Sequence, residues 1–208
     1  MRIIENKKFY FENGEQILFT KEMKTKFIEK TQKSKDMVNN ILTLDIETYI
    51  DGNTLIPFLI CFYDGKKSYS FGLWDYISVE QMILACFQSI FIRKYNGYKI
   101  YVHNLAKFDV IFLFKYLVKI AIMDPKIHKG RIISLGINYG ENNEYQIEFR
   151  DSYLILLNSL RKLCTAFKVE TAKSIFPFLF VNKDNLNYIG NVPDIKHFMD
   201  ISKNDYRE

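Results

Sequence analysis

The 208-residue chain is poor in glycine, proline and cysteine, and it has no long hydrophobic run. Nine glycines and four prolines are about half the usual share, which excludes collagen-like and linker-like sequences and argues against disorder. The longest stretches without charge, residues 52–63 and 81–92, are twelve residues long. A membrane-spanning helix needs about 20, so we expect no membrane association. Cys61, Cys86 and Cys164 form no Cys-x-x-Cys pair, which favours free thiols in a reducing compartment.

Two biases stand out among the residues that are abundant. Lys, Asn, Ile, Phe and Tyr, whose codons are AT-rich, supply nearly half of the chain, which indicates an AT-rich genome such as that of an organelle, plasmid, virus or parasite. The net charge is +5, but residues 93–131 alone hold nine basic and two acidic residues. A local basic stretch favours a polyanionic partner, and a solvated lysine-rich surface is the alternative.

The hydrophobic pattern predicts two parts. Residues 1–40 form an N-terminal extension, with a hairpin around Asn13-Gly14 and a Lys-rich helix over 21–36. Residues 41–208 form an α/β domain with a mixed sheet flanked by helices. Strands are predicted over 41–49, 57–63, 67–72, 98–102, 131–139 and 145–151, and helices over 78–92, 108–120 and 156–167. Ser78 is predicted to cap the first of these helices, whose apolar face contains Ile77, Met82, Cys86 and Ile90.

The first strand of the α/β domain contains a pair of carboxylates. Side chains alternate along a strand, so Asp45 and Glu47 share one face while Leu44 and Ile46 take the other. Two like charges on a buried strand are costly unless a cation compensates them, and Mg²⁺ prefers oxygen ligands of this kind. The alternative is a strand end at which both carboxylates meet solvent.

A second group of chemically active side chains lies where a strand is predicted to end and a helix to begin. It includes His103, Phe108 and Asp109. Ligand sites in α/β sheets cluster at the carboxyl ends of strands. Taken separately, each residue also has an ordinary interpretation, because an acid favours the first turn of a helix and the two rings suit a core.

Together these groups resemble the proofreading exonuclease domain of family B DNA polymerases, within the DEDD-type nucleases. The matching motifs are Asp45-Ile46-Glu47-Thr48 and Asn104-Leu105-Ala106-Lys107-Phe108-Asp109, in the family's order. The His-Asn version of the second motif is most similar to protein-primed polymerases of linear plasmids and their mitochondrial relatives. Arg150-Asp151-Ser152-Tyr153 leading to Ser159-Leu160, and Lys173-Ser174-Ile175-Phe176-Pro177, resemble two further family elements.

The resemblance implies a ribonuclease-H-like fold and two-metal hydrolysis of the 3′-terminal nucleotides of single-stranded DNA during DNA replication. Two Mg²⁺ or Mn²⁺ ions are implied for the complete site. The implied catalytic residues are Asp45, Glu47, Asp109 and Lys173, of which the three acids are also the implied metal ligands. The implied DNA-binding residues are Thr48, Asn104, Phe108, Ser159 and Leu160.

The sequence also departs from the family pattern. The third exonuclease motif places Tyr four residues before a metal-binding Asp, and no Tyr of this chain has Asp at that position. Polymerase motifs are also missing. We therefore expect a fold incomplete at its C-terminus, either as the first part of a longer polymerase or as a decayed reading frame. If the chain alone were active, the fourth carboxylate would have to come from a partner chain or from Asp151, Asp194, Asp200 or Asp205.

The expected partner is the 3′ end of single-stranded DNA, and a terminal protein primer is a further candidate. The gene bias and the resemblance favour a mitochondrial location, from an organelle or plasmid gene, over a cytoplasmic one. Two other functions stay open. One is a free-standing ribonuclease-H-like nuclease, and the other is a single-strand-binding remnant without catalysis.

Overall fold

The structure is a computed structural model that describes residues 2–4, 7–12, 15–17, 39–169, 176–199, 201 and 206. It divides into two compact units, residues 1–37 and 38–208. The first unit contains a three-stranded antiparallel sheet in sequence order: β1 (Arg2–Ile4), β2 (Lys7–Glu12) and β3 (Glu15–Ile17). The predicted turn at Asn13-Gly14 and the predicted Lys-rich helix lie outside the described residues.

The second unit is built on a seven-stranded mixed sheet. Its strands are β4 (Ile41–Asp51), β5 (Thr54–Tyr63), β6 (Ser68–Gly72), β7 (Lys99–Val102), β8 (Ile122–His128), β9 (Arg131–Tyr139) and β10 (Tyr145–Asp151). They lie in the order β6-β5-β4-β7-β10-β9-β8. Strand β7 runs parallel to both of its neighbours, and all other pairs are antiparallel. The predicted mixed-sheet α/β fold class is confirmed.

The described residues include three α-helices beside the sheet: α1 (Val79–Ile90), α2 (Asp109–Leu117) and α3 (Leu160–Phe167). Ser78 begins α1 as predicted, because its hydroxyl accepts a hydrogen bond from the Gln81 N–H at 3.2 Å. The prediction that Ile77 joins the buried face of α1 is wrong, since this side chain is 91% exposed. It precedes the capping residue, where the chain is extended and the helical period does not apply.

The core lies on one side of the sheet. Leu42, Leu44 and Ile46 of β4 are buried together with Ile83 and Phe87 of α1. Because side chains alternate along a strand, the intervening residues of β4 are directed to the opposite face. The packing of α1 against the sheet therefore leaves the acidic face of β4 outside the core.

The sequence-based interpretation missed strand β8. This strand lies at the edge of the sheet, contains Pro125 and is mostly exposed. Proline cannot donate to a strand ladder, so it argues against a strand in general but is tolerated at an edge. No helix in the described part of the chain is long and apolar enough to cross a membrane.

The packing of Phe87 generates the first prediction. This ring is fully buried, stacks on Phe91 at a centroid distance of 5.3 Å and meets Phe149 edge-on at 6.0 Å. Phe87→Ala should lower the free energy of unfolding by roughly 3–5 kcal/mol, because it empties space between α1 and the sheet. Urea unfolding measures this, with Phe167→Ala as the matched control at a ring that is 64% exposed. Equal losses in the two variants would contradict the described core.

Candidate active site

Parallel pairing of β4 with β7 brings the two acidic motifs together. Residues 41–43 of β4 pair with residues 99–101 of β7. Since both strands run in the same direction, Asp45 lies just beyond this pairing on one strand, and the loop that follows Val102 begins just beyond it on the other. The register of β4 against β5 shifts between Glu47 and Thr48. A bulge of this kind re-aims side chains and is common next to active sites.

The carboxylates line a cleft of about 600 Å³. Eight of the nine predicted site residues line it: Asp45, Glu47, Thr48, Asn104, Phe108, Asp109, Ser159 and Leu160. The ninth, Lys173, lies outside the described residues. The structure therefore brings the two motifs and the start of α3 to one place, while the role of each residue stays a prediction.

Asp109 is the first residue of α2 and is only 1% exposed. Its Oδ1 atom is buried and has no hydrogen-bond partner. Burial raises the pKa of this carboxyl from 3.8 to about 7, and the negative charge of Asp45 is the next contribution in the same direction. Asp151 and Glu47 add to the effect. The protein thus places an unsatisfied acid within the field of three others, an arrangement that a cation would relieve.

The two acids of β4 differ in burial. Asp45 is exposed, and Glu47 is half-buried. Their charges also reach Cys61, the residue of β5 that pairs with Asp45. Burial is the main cause that raises the pKa of the Cys61 thiol, and both acids add to it. Within the described ranges, no three carboxylate, imidazole or thiol groups lie close enough together to hold a metal ion. The acids therefore share a cleft without forming a closed cage of three ligands.

Asp151, to which the sequence interpretation gave a role only as a candidate for a fourth carboxylate, has a distinct place in the structure. It is the last residue of β10, is buried, and pairs with Val102 at the end of β7. Its carboxylate accepts hydrogen bonds from the backbone N–H groups of Asn104 and Ala106, at 3.0 and 3.1 Å, and of Tyr153, at 2.9 Å. The signal in the sequence was an acid at the end of a predicted strand, within the motif Arg150-Asp151-Ser152-Tyr153.

His103 connects the loop after β7 to the segment before α3. Its Nε2 lies 2.9 Å from the Asn158 carbonyl oxygen, which only accepts, so Nε2 is the donor. Its Nδ1 lies 3.1 Å from the Ser152 hydroxyl, and its ring meets Tyr153 edge-on at 5.5 Å. These contacts make His103 a structural link between the two segments that line the cleft.

The basic stretch of the sequence does not gather at the cleft. All nine of its basic residues lie in the described part of the chain, and Lys107 alone among them lines the cleft. The amine of Lys107 lies 5.7 Å from the centre of the Tyr153 ring, and α3 contributes a second cation, Arg161. Three other members of the stretch contact acids elsewhere: Lys94 with Asp64 at 2.7 Å, Lys119 with Glu80 at 2.8 Å and Lys126 with Glu148 at 3.8 Å.

Comparison with known proteins identifies the family to which the chain belongs. Residues 90–208 match the family described as DNA polymerase type B, organellar and viral. The match covers more than half of the chain, which therefore belongs to the organellar and viral type B DNA polymerases.

Its similarity to individual proteins is consistent with that family. The chain is 37% identical to a probable DNA polymerase of Ascobolus immersus over 223 residues, which cover 100% of this chain and 18% of the relative. It is 34% identical to a probable DNA polymerase of Neurospora intermedia, over 93% of this chain and 22% of the relative. The chain thus spans about a fifth of the length of these relatives.

Solved structures show the same fold at low sequence identity. Phi29 DNA polymerase complexed with primer-template DNA matches with a TM-score of 0.51 and 16% identity, over 66% of this chain and 25% of that one. The same polymerase complexed with single-stranded DNA matches with a TM-score of 0.51, over 65% and 25% of the two chains. The predicted ribonuclease-H-like mixed sheet is therefore a fold shared with part of a DNA polymerase.

The burial of Asp109 predicts a pH-dependent effect of Asp109→Asn. In the unfolded chain this acid ionises near pH 3.8, and in the folded protein near pH 7. Between these values the folded state binds more protons, so this residue makes the wild type lose stability as the pH rises. The amide needs no proton, so Asp109→Asn should resemble wild type near pH 4 and gain a few kcal/mol relative to it by pH 8, at about 1.4 kcal/mol per tenfold change in proton affinity.

Urea unfolding at pH 4, 6 and 8, with a chelator present, measures this difference. Asp124→Asn, which removes an exposed carboxylate from β8, is the control and should have a much smaller effect. A difference between Asp109→Asn and wild type that does not grow with pH would contradict the buried, unsatisfied carboxylate.

Proposed function

We propose that this chain forms the 3′→5′ proofreading exonuclease domain of a family B DNA polymerase, and that its cleft holds the 3′ end of single-stranded DNA for hydrolysis. The observation that carries the proposal is the convergence of the two acidic motifs on one cleft, with the unsatisfied Oδ1 of Asp109 buried beside it. Phi29 DNA polymerase, which shares the fold, is known in a complex with single-stranded DNA, and this supports the choice of ligand.

The residues of the cleft suit hard divalent cations. Asp45, Glu47 and Asp109 offer only oxygen donors, which is the donor set that Mg²⁺ and Mn²⁺ prefer. The buried oxygen of Asp109 has no partner within the protein, so cation binding would satisfy it and would favour its ionised form. When bound, such ions supply charge neutralisation at the phosphodiester and an acidified water. The three acids would hold them, and Asp109 would give up its proton to do so.

The loop after β7 would hold the terminal nucleotide. The Phe108 ring is half-buried and meets Phe112 edge-on at 5.2 Å, which fixes its orientation at the cleft. A fixed aromatic ring is a stacking platform for a base. The Asn104 side chain can hydrogen-bond sugar or phosphate, and Thr48 of β4 lines the same cleft and offers a hydroxyl.

The start of α3 would hold the backbone of the strand. The Ser159 hydroxyl accepts a hydrogen bond from the Lys162 N–H at 3.5 Å as the cap of this helix, and its own hydrogen can still donate to a phosphate. Leu160 is partly exposed beside it and could wedge between bases. Lys107 and Arg161 add positive charge, which favours any nucleic-acid strand and weakens with salt. Lys173 is proposed to neutralise charge on the phosphate, by resemblance alone.

Binding without hydrolysis is the second candidate function. It is favoured by the lack of a three-ligand group among the described residues and by the absence of a Tyr-x-x-x-Asp element from the sequence. Three carboxylates carry a charge of −3 against +4 for two divalent cations, so a site without a fourth acid would hold one ion weakly. The exonuclease proposal also includes three further points. The chain would act in replication within a longer polymerase, it would contact a terminal protein primer, and it would work in the mitochondrion.

Loss of the Phe108 ring should weaken binding of single-stranded DNA. A stacked base is worth roughly 1–3 kcal/mol, so Phe108→Ala should raise the Kd about tenfold, and Asn104→Ala should raise it less. Fluorescence anisotropy with a short labelled oligonucleotide at fixed salt measures the effect. Phe114→Ala is the matched control, because this ring belongs to α2 but does not line the cleft. Equal affinities of wild type and Phe108→Ala would exclude the stacking role.

The 208-residue chain should bind single-stranded DNA but digest it slowly, even with Mg²⁺ or Mn²⁺. Positioning and charge stabilisation dominate phosphoryl transfer, so a missing carboxylate should cost orders of magnitude in rate. Gel analysis of a 5′-labelled oligonucleotide, with EDTA as a blank, measures the rate. A longer chain that includes a Tyr-x-x-x-Asp element should digest faster, and Asp45→Ala should abolish the gain. Rapid 3′ digestion by the 208 residues alone would contradict this account.

A further inference from the structure

Asp109 and Asp151 are both buried, and the protein surrounds their carboxylates in opposite ways. Asp109 has an oxygen without a hydrogen-bond partner, whereas both oxygens of Asp151 are occupied. Oδ1 of Asp151 accepts from the N–H groups of Asn104 and Tyr153, and Oδ2 accepts from the N–H of Ala106. Hydrogen bonds to a charged acceptor are the strongest that a side chain makes with backbone, so these three bonds constrain the chain firmly.

The segment that Asp151 holds is a tight turn that begins with a left-handed residue. Asn104 has φ of +72°, in the left-handed region that residues with a side chain seldom adopt. The Asn104 carbonyl then accepts from the N–H groups of Lys107 and Phe108, at 3.1 and 3.2 Å, which closes a tight turn. Asparagine tolerates this region better than most residues with a side chain, and surrounding contacts stabilise the conformation further. The backbone N–H groups of Asn104 and Ala106, which belong to this turn, donate hydrogen bonds to the Asp151 carboxylate.

The strand order explains why Asp151 can reach this turn. Strands β7 and β10 are parallel neighbours, and Asp151 pairs with Val102 at the end of both. The chain after β7 turns across the end of β10, so its amides face the last side chain of that strand. The next residue of each strand is also part of this contact, because Ser152 and His103 are hydrogen-bonded to each other. His103 also donates to the carbonyl oxygen of Asn158, the residue before Ser159.

We infer that Asp151 is a positioning residue for the DNA-binding cleft. It does not touch DNA. It holds the turn of residues 104–108 in the shape that presents the side-chain amide of Asn104 and the ring of Phe108 to the 3′-terminal nucleotide. The inference rests on the proposed function, because the ligand is the single strand that the cleft is proposed to hold. It also removes Asp151 from the candidate fourth metal ligands, since a ligand role would take its oxygens from three backbone amides.

Asp151→Asn is the variant that tests this role. The amide has the same shape, but it has one acceptor oxygen and one donor nitrogen, so at least one of the three backbone N–H groups must face another donor. Glu148→Gln is the control, because it removes one negative charge from the same strand while Glu148 contacts Arg150 and Lys126 and not the turn. Loss of a negative charge alone should strengthen binding to a polyanion. Weaker DNA binding by Asp151→Asn would therefore be opposite in sign to the effect of removing a charge.

The measurement is fluorescence anisotropy of a short labelled oligonucleotide with the 208-residue chain, in EDTA and at fixed salt. We expect Asp151→Asn to raise the Kd about tenfold and Glu148→Gln to leave it unchanged or lower it. The decisive step repeats Asp151→Asn in a chain that already carries Asn104→Ala and Phe108→Ala. There it should change the Kd less than twofold, because the side chains that it positions are gone.

The outcomes separate the positioning role from other causes. Equal loss of affinity in both backgrounds would show a general effect on the fold and would overturn the inference, as would wild-type affinity of Asp151→Asn. If the Asn104→Ala, Phe108→Ala chain binds like wild type, the proposed function itself fails. Circular dichroism at the assay temperature shows whether each variant is folded. If Asp151→Asn is not, Asp151→Glu, which keeps the charge and both acceptors but shifts them, must give the same loss in the first background and none in the second.

Discussion

The structure depends on the parallel pairing of β4 with β7. One face of β4 is apolar and is buried in the same core cluster as α1, so the other face, with Asp45 and Glu47, is left outside the core. Parallel strands end at the same edge of a sheet, so the loop after β7 meets the acidic face of β4 at that edge. The cleft, the position of α2 and the burial of Asp109 all follow from this one pairing.

The cleft combines groups that the fold leaves unsatisfied with groups that it satisfies fully. Asp109 is buried among negative charges without a complete set of hydrogen bonds, which costs stability in the absence of a cation. Asp151, at the end of β10, accepts hydrogen bonds from three backbone N–H groups. A poised site needs both kinds of acid, because the first can gain only by binding something and the second keeps the surrounding loop in place while it does so.

Particular residues show how far sequence patterns reach. The alternation in β4 predicted which of its side chains are buried, and Ser78 predicted the start of α1, because both signals are local. Strand β8 was missed, since its pairing with β9 at an exposed edge overrides the signal of Pro125. Ile77 was placed in the core by a helical period that does not extend past the cap. Helix α3 begins at Leu160 and not near residue 156, because Ser159 caps it.

The sequence by itself determined the order of the motifs, the mixed α/β fold class and the resemblance to family B polymerases, since each depends on residue type and spacing along the chain. Only the tertiary structure decided that the motifs share a cleft, that Asp109 is buried and that Asp151 binds the turn after β7. The basic stretch illustrates the same limit, because the sequence gathers nine cations and the fold places only Lys107 at the cleft. Burial, protonation and hydrogen bonding depend on neighbours that are distant along the chain, and strand pairing is what brings those neighbours together.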